Sequence, residues 1–378
     1  MEGERLSHLT KYNIEDTNIA LLGSDLERRV REHAGDKEPA WDSAGKGPGL
    51  EIWRIEHFQI VEWPRERHGT FYNGDSYIVL HTFKKSEQTD ALAYDLHFWL
   101  GRETSQDEAG TAAYKTVELD DHLNGAPIQY REVQGYESSK FLSYFPRFIT
   151  RSGGISTGFH HVSSPPPEDV KRLYRIQASH SVSHSRLIVR EVPVAASSIV
   201  EGDVFVLDQG NKIAQFNTKQ SVGKEKFKAA EFVQFLASER QSQPDVIVYD
   251  EGSSGAGIFL SEFGLEAVPP ASGARQVTED TPPTLYRLSD NSGEVQFERI
   301  GELDGLSSLS SNDAYLIDHA TAVYVWIGKE ASLNERRLAM QYAQKYLHSK
   351  GEGAAARCIV KMTEGMENSQ FLEVIHAR

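Results

Sequence analysis

One pattern recurs three times along this 378-residue chain, so the chain must fold as several similar units rather than around one large core. Each copy opens on a short apolar run that reads as a strand: IWRI from Ile52, LYRI from Leu173 and LYRL from Leu285. A turn with an aspartate follows, feeding a second apolar run: NGDSYIVL around Asp75, EGDVFVLD around Asp203 and SNDAYLID around Asp313. Small or polar turn residues before β-branched and aromatic ones predict a buried strand. A third strand carries an aromatic, in LHFWLG (Trp99), IAQFNT (Phe216) and VYVWIG (Trp326). Nine residues after each aromatic stands a glutamate, Glu108, Glu225 and Glu335. The interval from aspartate to aromatic is 13 residues in copies two and three and 24 in copy one, where TFKKSEQTDAL lengthens a hairpin.

Each glutamate opens a helical stretch. In copy two, Ala229, Phe232, Val233 and Leu236 make an i, i+3, i+4, i+7 stripe, and in copy three Ala339, Tyr342, Ala343 and Tyr346 repeat it. Every copy closes on a Phe-Leu pair: Phe141-Leu142, Phe259-Leu260 and Phe371-Leu372. Strands, one long helix, another strand and a short helix predict an α+β unit whose mixed sheet is covered by helices. Breakers place the boundaries at the Ser163-Ser164-Pro165-Pro166-Pro167 run and at the Pro-, Ser- and Gly-rich stretch from Pro269 to Pro283. The expected layout is an N-terminal extension (1–49), domain one (50–162), a linker (163–172), domain two (173–268), a second linker (269–283) and domain three (284–378).

Composition removes several function classes. Forty Lys and Arg stand against 55 Asp and Glu, a formal net charge of −15, so there is no chain-wide positive field for nucleic acid. Cys358 is the only cysteine, which excludes an intrachain disulfide framework and cysteine-based zinc, and favours a cytoplasmic life. No run of about 18 apolar residues marks a membrane span. No GxxxxGK[ST] loop, GxSxG elbow or HExxH pair occurs, and His180 with His184 reads as turn and strand rather than as a helical ligand pair. An enzyme is not expected; a hydrolase is the least favoured rival.

The repeated carboxylates suggest calcium. That ion takes six to eight oxygens on a flexible frame, and an aspartate at a strand entry with a glutamate in the first turn of the covering helix would supply some of them. The carbonyls of Gly74, Gly202 and Asn312 precede the three aspartates. Singly, an aspartate in a turn is a turn former and a glutamate in a first helical turn complements the helix dipole. Three equivalent pairs shift the reading toward metal.

The residues quoted above resemble the gelsolin superfamily, and most closely its three-domain severin and fragmin class. The segment WLGRETSQDEAGTAAYKTVELDDHLNGAPIQYREVQGYES is similar to that family's actin-binding segment. The resemblance implies three gelsolin-like repeats, each a mixed central sheet sandwiched between one long and one short helix. It implies a calcium-activated protein that severs actin filaments, caps barbed ends and nucleates polymerisation, with a calcium-dependent filament-side binder as the alternative. It assigns calcium to the Gly74 carbonyl, Asp75, Glu108 and the Ile155 carbonyl; to Gly202, Asp203, Glu225 and Asp280; and to the Asn312 carbonyl, Asp313 and Glu335. A further ion, shared with actin, would involve Asp120 and the carbonyls of Gly125 and Pro127. Two cysteines that pair in secreted gelsolin are replaced here by Val204 and Asn217. The resemblance also places phosphoinositide contacts on segments that here offer Arg147 and Arg151, and Arg172 and Arg175.

On the domain-one helix, Ala112, Thr116, Leu119 and Leu123 form the stripe toward the sheet, which leaves Tyr114 and Val117 outward. The resemblance puts actin against Gln106, Tyr114, Val117 and Glu118 of this helix, and against Phe159 of the following linker. The expected partners are actin monomer and filament, the expected location cytoplasm and cytoskeleton, and the free protein is expected to be monomeric.

Overall fold

The computed structural model describes residues 38–86, 88–154, 171–178, 187–240, 243–270, 282–293, 295–320 and 322–376. Unit one contributes β1 (Gly49–Glu56), β2 (Gln59–Glu62), β3 (Thr70–Tyr72), β4 (Ser76–Lys84), β5 (Leu92–Leu100), α1 (Gln106–His122), β6 (Ile128–Val133), α2 (Ser139–Ser143) and β7 (Arg147–Arg151). Unit two contributes β8 (Arg172–Ala178), β9 (Leu187–Val192), β10 (Val204–Asp208), β11 (Lys212–Asn217), α3 (Gly223–Ser238), β12 (Asp245–Asp250) and α4 (Ala256–Ser261). Unit three contributes β13 (Thr284–Ser289), β14 (Gln296–Glu302), β15 (Ala314–Asp318), β16 (Ala322–Ile327), α5 (Leu333–Ser349), α6 (Glu352–Ala355), β17 (Cys358–Thr363) and α7 (Ser369–His376).

Each unit is the expected α+β repeat. The strand after each long helix runs parallel to its neighbour, β6 on β5, β12 on β11 and β17 on β16; the other pairs within a unit are antiparallel except β3 with β7 in unit one. The intervening long helix is the crossover a parallel pair demands. The long helices bury the predicted faces: Ala112, Thr116 and Leu119 in α1, Ala229, Phe232, Val233 and Leu236 in α3, and Ala339, Ala343 and Tyr346 in α5. The short helices cover the other side with Phe141, Phe259 and Phe371. Fine contacts repeat too: Trp99 Nε1 donates to Glu137 at 3.2 Å, and Trp326 Nε1 to Glu367 at 2.8 Å. Val204 sits directly opposite Asn217 in the β10–β11 ladder.

The extra residues of copy one do not all go into a loop. β4 and β5 pair over nine positions, Ser76 with Leu100 through Lys84 with Leu92, so most of the insertion extends the two strands. The core of unit one also reaches back before residue 50. Trp41 is fully buried and packs edge-to-face on Trp53 at 5.2 Å, with Ala44 beside it.

The units do not remain three separate sheets. β7 of unit one pairs parallel with β9 and carries β3 with it, giving a seven-stranded sheet ordered β12-β11-β10-β8-β9-β7-β3. β17 of unit three pairs antiparallel with β6 of unit one, Lys361 opposite Gln129, giving a ten-stranded sheet ordered β14-β13-β15-β16-β17-β6-β5-β4-β1-β2. Two edges that would otherwise expose unpaired backbone groups thereby cover each other.

Candidate functional site

The turn before β4 is held by close backbone approach. Gly74 donates its N–H to the Gly153 carbonyl at 2.8 Å, and a Cβ on Gly154 would stand 2.5 Å from Asp75 Oδ1. Only glycine leaves that space open. Asp75 is fully buried; its Oδ2 accepts from Tyr77 Oη at 3.2 Å and from Arg54 Nη1 at 3.3 Å. Glu108 stands in the first turn of α1, its N–H donated to the capping Ser105 Oγ at 3.1 Å. A hydroxyl relay links it to the strand entry: Thr104 Oγ1 lies 3.5 Å from Glu108 Oε2 and 2.8 Å from Ser76 Oγ. Ile155, the remaining expected ligand, lies outside the described residues.

Unit two repeats the arrangement. Gly202 has φ +94°, and the aspartate after it, Asp203, is buried. Its Oδ2 accepts from Arg175 Nε at 2.5 Å and its Oδ1 from Gln177 Nε2 at 3.3 Å. Glu225, buried at the start of α3, accepts the Val222 N–H at 3.2 Å. Asp280 lies outside the described residues.

Unit three differs. Asp313 is buried, yet its Oδ1 has no hydrogen-bond partner among the described residues. Glu335 is 1% exposed and accepts the Asp290 N–H on Oε1 and the Ser332 N–H on Oε2, both at 2.9 Å. Burial raises the Glu335 pKa, the two N–H donors oppose that, and the Asp290 and Asp313 carboxylates add to it. Asp290, at the end of β13, is a third carboxylate at this corner that the repeat pattern did not single out, because nothing acidic occupies its place in the other copies. The conserved-looking arginine of the opening strands was missed for the opposite reason: inside an apolar run it reads only as a strand residue, whereas Arg54 and Arg175 turn out to hold the site aspartates.

These donor sets fit calcium in kind. They are hard oxygens on a strand entry and a helix start, and a buried carboxylate oxygen left without a donor, as at Asp313, is what a cation would satisfy. No group of three or more His, Cys, Asp or Glu already arranged to hold a metal occurs among the described residues.

A separate constellation lies at the end of α1. Asp120 Oδ2 accepts from Gln129 Nε2 at 2.6 Å, while its Oδ1 is buried with no hydrogen-bond partner among the described residues. Burial pushes its pKa up to about 6; Lys361 of unit three pulls it down and Asp121 pushes it up. The Gly125 N–H closes the turn on the Asp120 carbonyl at 2.8 Å, with Gly125 at φ +68°. Pro127 leads directly into β6, whose outer edge receives β17.

Along α1, Tyr114 is 43% exposed and Val117 partly so, as the stripe predicts. Glu118 is different: it is buried and ion-paired with Lys115 at 2.7 Å, and Lys115 reaches Glu38 at 3.0 Å. The segment around Glu38 and Trp41 lies over this side, so Glu118 is covered rather than presented. Gln106 opens the helix, and Phe159 lies outside the described residues. Of the four arginines expected to meet phosphoinositide, Arg147 stacks 3.6 Å over the Phe235 ring, Arg151 pairs with Glu239 at 3.4 Å and Arg175 pairs with Asp203. Arg172 starts β8 beside Glu191. Three of the four cations are thus already engaged inside the protein.

Three repeats with helix-covered mixed sheets, and the same Asp, Glu and Arg at one corner of each, define a modular binding protein rather than an enzyme with a single reaction centre. A family model described as the gelsolin repeat matches residues 57–142, 186–258 and 306–372. The chain belongs to the gelsolin family. It is 40% identical over 322 residues to gelsolin-like protein 1 of Lumbricus terrestris, covering 84% of this chain and 85% of that one. It is 37% identical over 355 residues to severin of Echinococcus granulosus, covering 89% and 91%. Against villin-2 of Arabidopsis thaliana it is 40% identical over 346 residues, 88% of this chain but 34% of the villin. Severins, gelsolins and villins are non-enzymatic proteins that sever and cap actin filaments.

Proposed function

We propose that this chain severs actin filaments and caps their barbed ends under the control of calcium, using unit one as the actin-binding element and the docking of unit three as the restraint. The observation that carries the reading is the seam beside α1. There the Asp120 carboxyl, one oxygen without a donor, faces Lys361 of unit three across the β6–β17 pairing. The end of α1 that carries Asp120 thus lies beside another unit of the same chain, while Tyr114 stays exposed farther along the helix.

Calcium would be held by Asp75 with Glu108, Asp203 with Glu225, and Asp313 with Glu335, the Gly74, Gly202 and Asn312 carbonyls adding neutral oxygens. When bound it would bring two positive charges among carboxylates that now rely on arginines and helix N–H groups. Only a higher affinity for the undocked arrangement than for the docked one would shift the population. Once unit three leaves, Asp120 is free to complete a site with the Gly125 and Pro127 carbonyls, next to the already exposed Tyr114 and partly exposed Val117, an aromatic and aliphatic anchor of the kind that dominates interfaces. The cytoskeleton is then the expected location, with actin monomer and filament as the partners.

The test is direct microscopy of fluorescent actin filaments. In chelator the full chain should leave filaments intact; in micromolar calcium it should fragment them and stop growth at one end. Filaments that stay long in calcium while the protein still co-sediments would replace this reading with filament-side binding.

A further inference from the structure

The arginine in the opening strand of each unit occupies one position relative to the site aspartate. Antiparallel pairing sets Arg54 opposite Tyr77, Arg175 opposite Phe205 and Arg287 opposite Tyr315, in each case two residues beyond Asp75, Asp203 and Asp313. Residues offset by two across a ladder share a face and lie about 7–8 Å apart, a span that an arginine side chain crosses. Sequence and topology therefore place one guanidinium at each site aspartate, but the three guanidiniums are used differently.

In unit two Arg175 is committed to Asp203, with Nε 2.5 Å from Oδ2 and a second guanidinium nitrogen on the same oxygen. Gln177 takes the other oxygen. In unit one the commitment is shared: Arg54 Nη1 reaches Asp75 at 3.3 Å, while its Nε donates to Glu56 at 2.7 Å and its guanidinium lies 4.9 Å over the Trp63 ring. In unit three the arginine is drawn away. Arg287 Nη2 donates to Glu298 on the neighbouring β14 at 2.5 Å; among the described residues its Nε has no hydrogen-bond partner and Asp313 Oδ1 is left buried with none, so Arg287 keeps a charge interaction with Asp313 but no hydrogen bond to that oxygen.

We propose that these arginines are resident competitors for the cation and that they rank the sites. Unit three fills first, unit one next and unit two last. The proposal rests on the calcium reading above and adds to it the residue that tunes each site. At unit two a cation must displace a charge-assisted contact to a buried carboxylate, and at unit three it need not. Glu298 is therefore a tuning residue although it is no ligand: by holding Arg287 it keeps Asp313 available.

The experiment is calcium calorimetry on full-length chains in which two of the three site glutamates are changed to Gln, so that one site reports at a time. With E108Q and E335Q in place, Arg175→Gln should tighten the unit-two site about tenfold, the low end for a partly exposed guanidinium, whereas Arg175→Lys should remain weak. With E108Q and E225Q in place, Arg287→Gln should change the unit-three site little. In that background Glu298→Gln should weaken it severalfold by releasing Arg287 toward Asp313, and more than Glu302→Gln on the same strand, which removes the same charge. A second readout needs no calcium: in chelator, Arg175→Gln should lower the melting temperature more than Arg287→Gln does.

Unit-two affinity that is unchanged or weakened by a folded Arg175→Gln, with calcium binding intact elsewhere, overturns the proposal alone. Equal effects of E298Q and E302Q do so as well. No calcium heat from the unsubstituted chain overturns both this proposal and the reading it rests on.

Discussion

Asp95 shows how much one buried residue contributes. It is 1% exposed and accepts from Tyr130 Oη at 3.2 Å and Tyr144 Oη at 3.0 Å, with Lys140 Nζ at 2.9 Å. Burial alone would raise its pKa, but the His81 imidazole 3.6 Å away and the Lys140 charge outweigh that and hold it at about 2. Because the folded pKa lies below the unfolded one, the stabilisation is present above about pH 4 and is lost as pH falls toward 2. A shift of that size corresponds to about 2 kcal/mol. Asp95→Asn should accordingly cost about 2 kcal/mol in urea denaturation at pH 7, and the gap to the parent should narrow steadily as pH falls from about 4 to about 2. At this scale the sequence was legible where a residue recurs in all three copies. Asp75, Asp203 and Asp313 were found by register alone, and all three are buried at strand entries. Asp95, its partner Tyr144 and the buried His97–Glu132 contact at 3.0 Å were not found, since each occurs in one copy and pairs with residues distant in sequence.

The helix is the element whose two faces do different work. Ser105 caps α1 and Ala112, Thr116 and Leu119 anchor it, while Tyr114 points outward from the same three turns. Removing an exposed group leaves no cavity, so Tyr114→Ala combined with Val117→Asp should move the melting temperature little, within about 0.5 kcal/mol of stability per surface change. Binding to actin monomer in calcium should nevertheless fall at least tenfold, as expected for a central aromatic anchor. Titration of fluorescent monomer with the parent and the double variant checks both statements, and unchanged affinity would move the actin site off α1. Amphipathic periodicity made this face readable before any coordinates. The burial of Glu118 was not readable, because it depends on Trp41 and Glu38, which precede the first strand and which pattern alone assigned to an extension.

The arrangement of the whole molecule was the least legible level. Repeats announce the units, but which edge pairs with which depends on only three or four paired residues per seam, and these carry no composition signal. The β6–β17 seam is short, Ile359 with Arg131 through Lys361 with Gln129, and it is reinforced by Arg131 Nη1 on the Ala355 carbonyl at 3.1 Å and Asn368 Nδ2 on Tyr130 Oη at 3.0 Å. Tyr130 of unit one is also buried in the core cluster of unit three, so opening the seam must expose that ring as well as break these hydrogen bonds. Gln129 and Lys361 are directly opposed, and opposed residues of an antiparallel pair lie about 4.5–5.5 Å apart at Cα, within the range a disulfide spans. Changing both to Cys, with Cys358→Ser to prevent mispairing, should therefore allow the seam to be locked by mild oxidation. The oxidised chain should still bind calcium at its three units yet fail to sever filaments or bind monomer, and reductant should restore both activities. Keeping the comparison within one variant removes the effect of losing Gln129 beside Asp120, which is the same in the oxidised and reduced forms. Severing by the oxidised chain at the rate of the reduced one would show that unit three need not leave unit one, and the restraint would then have to lie at the other junction, where β7 joins β9.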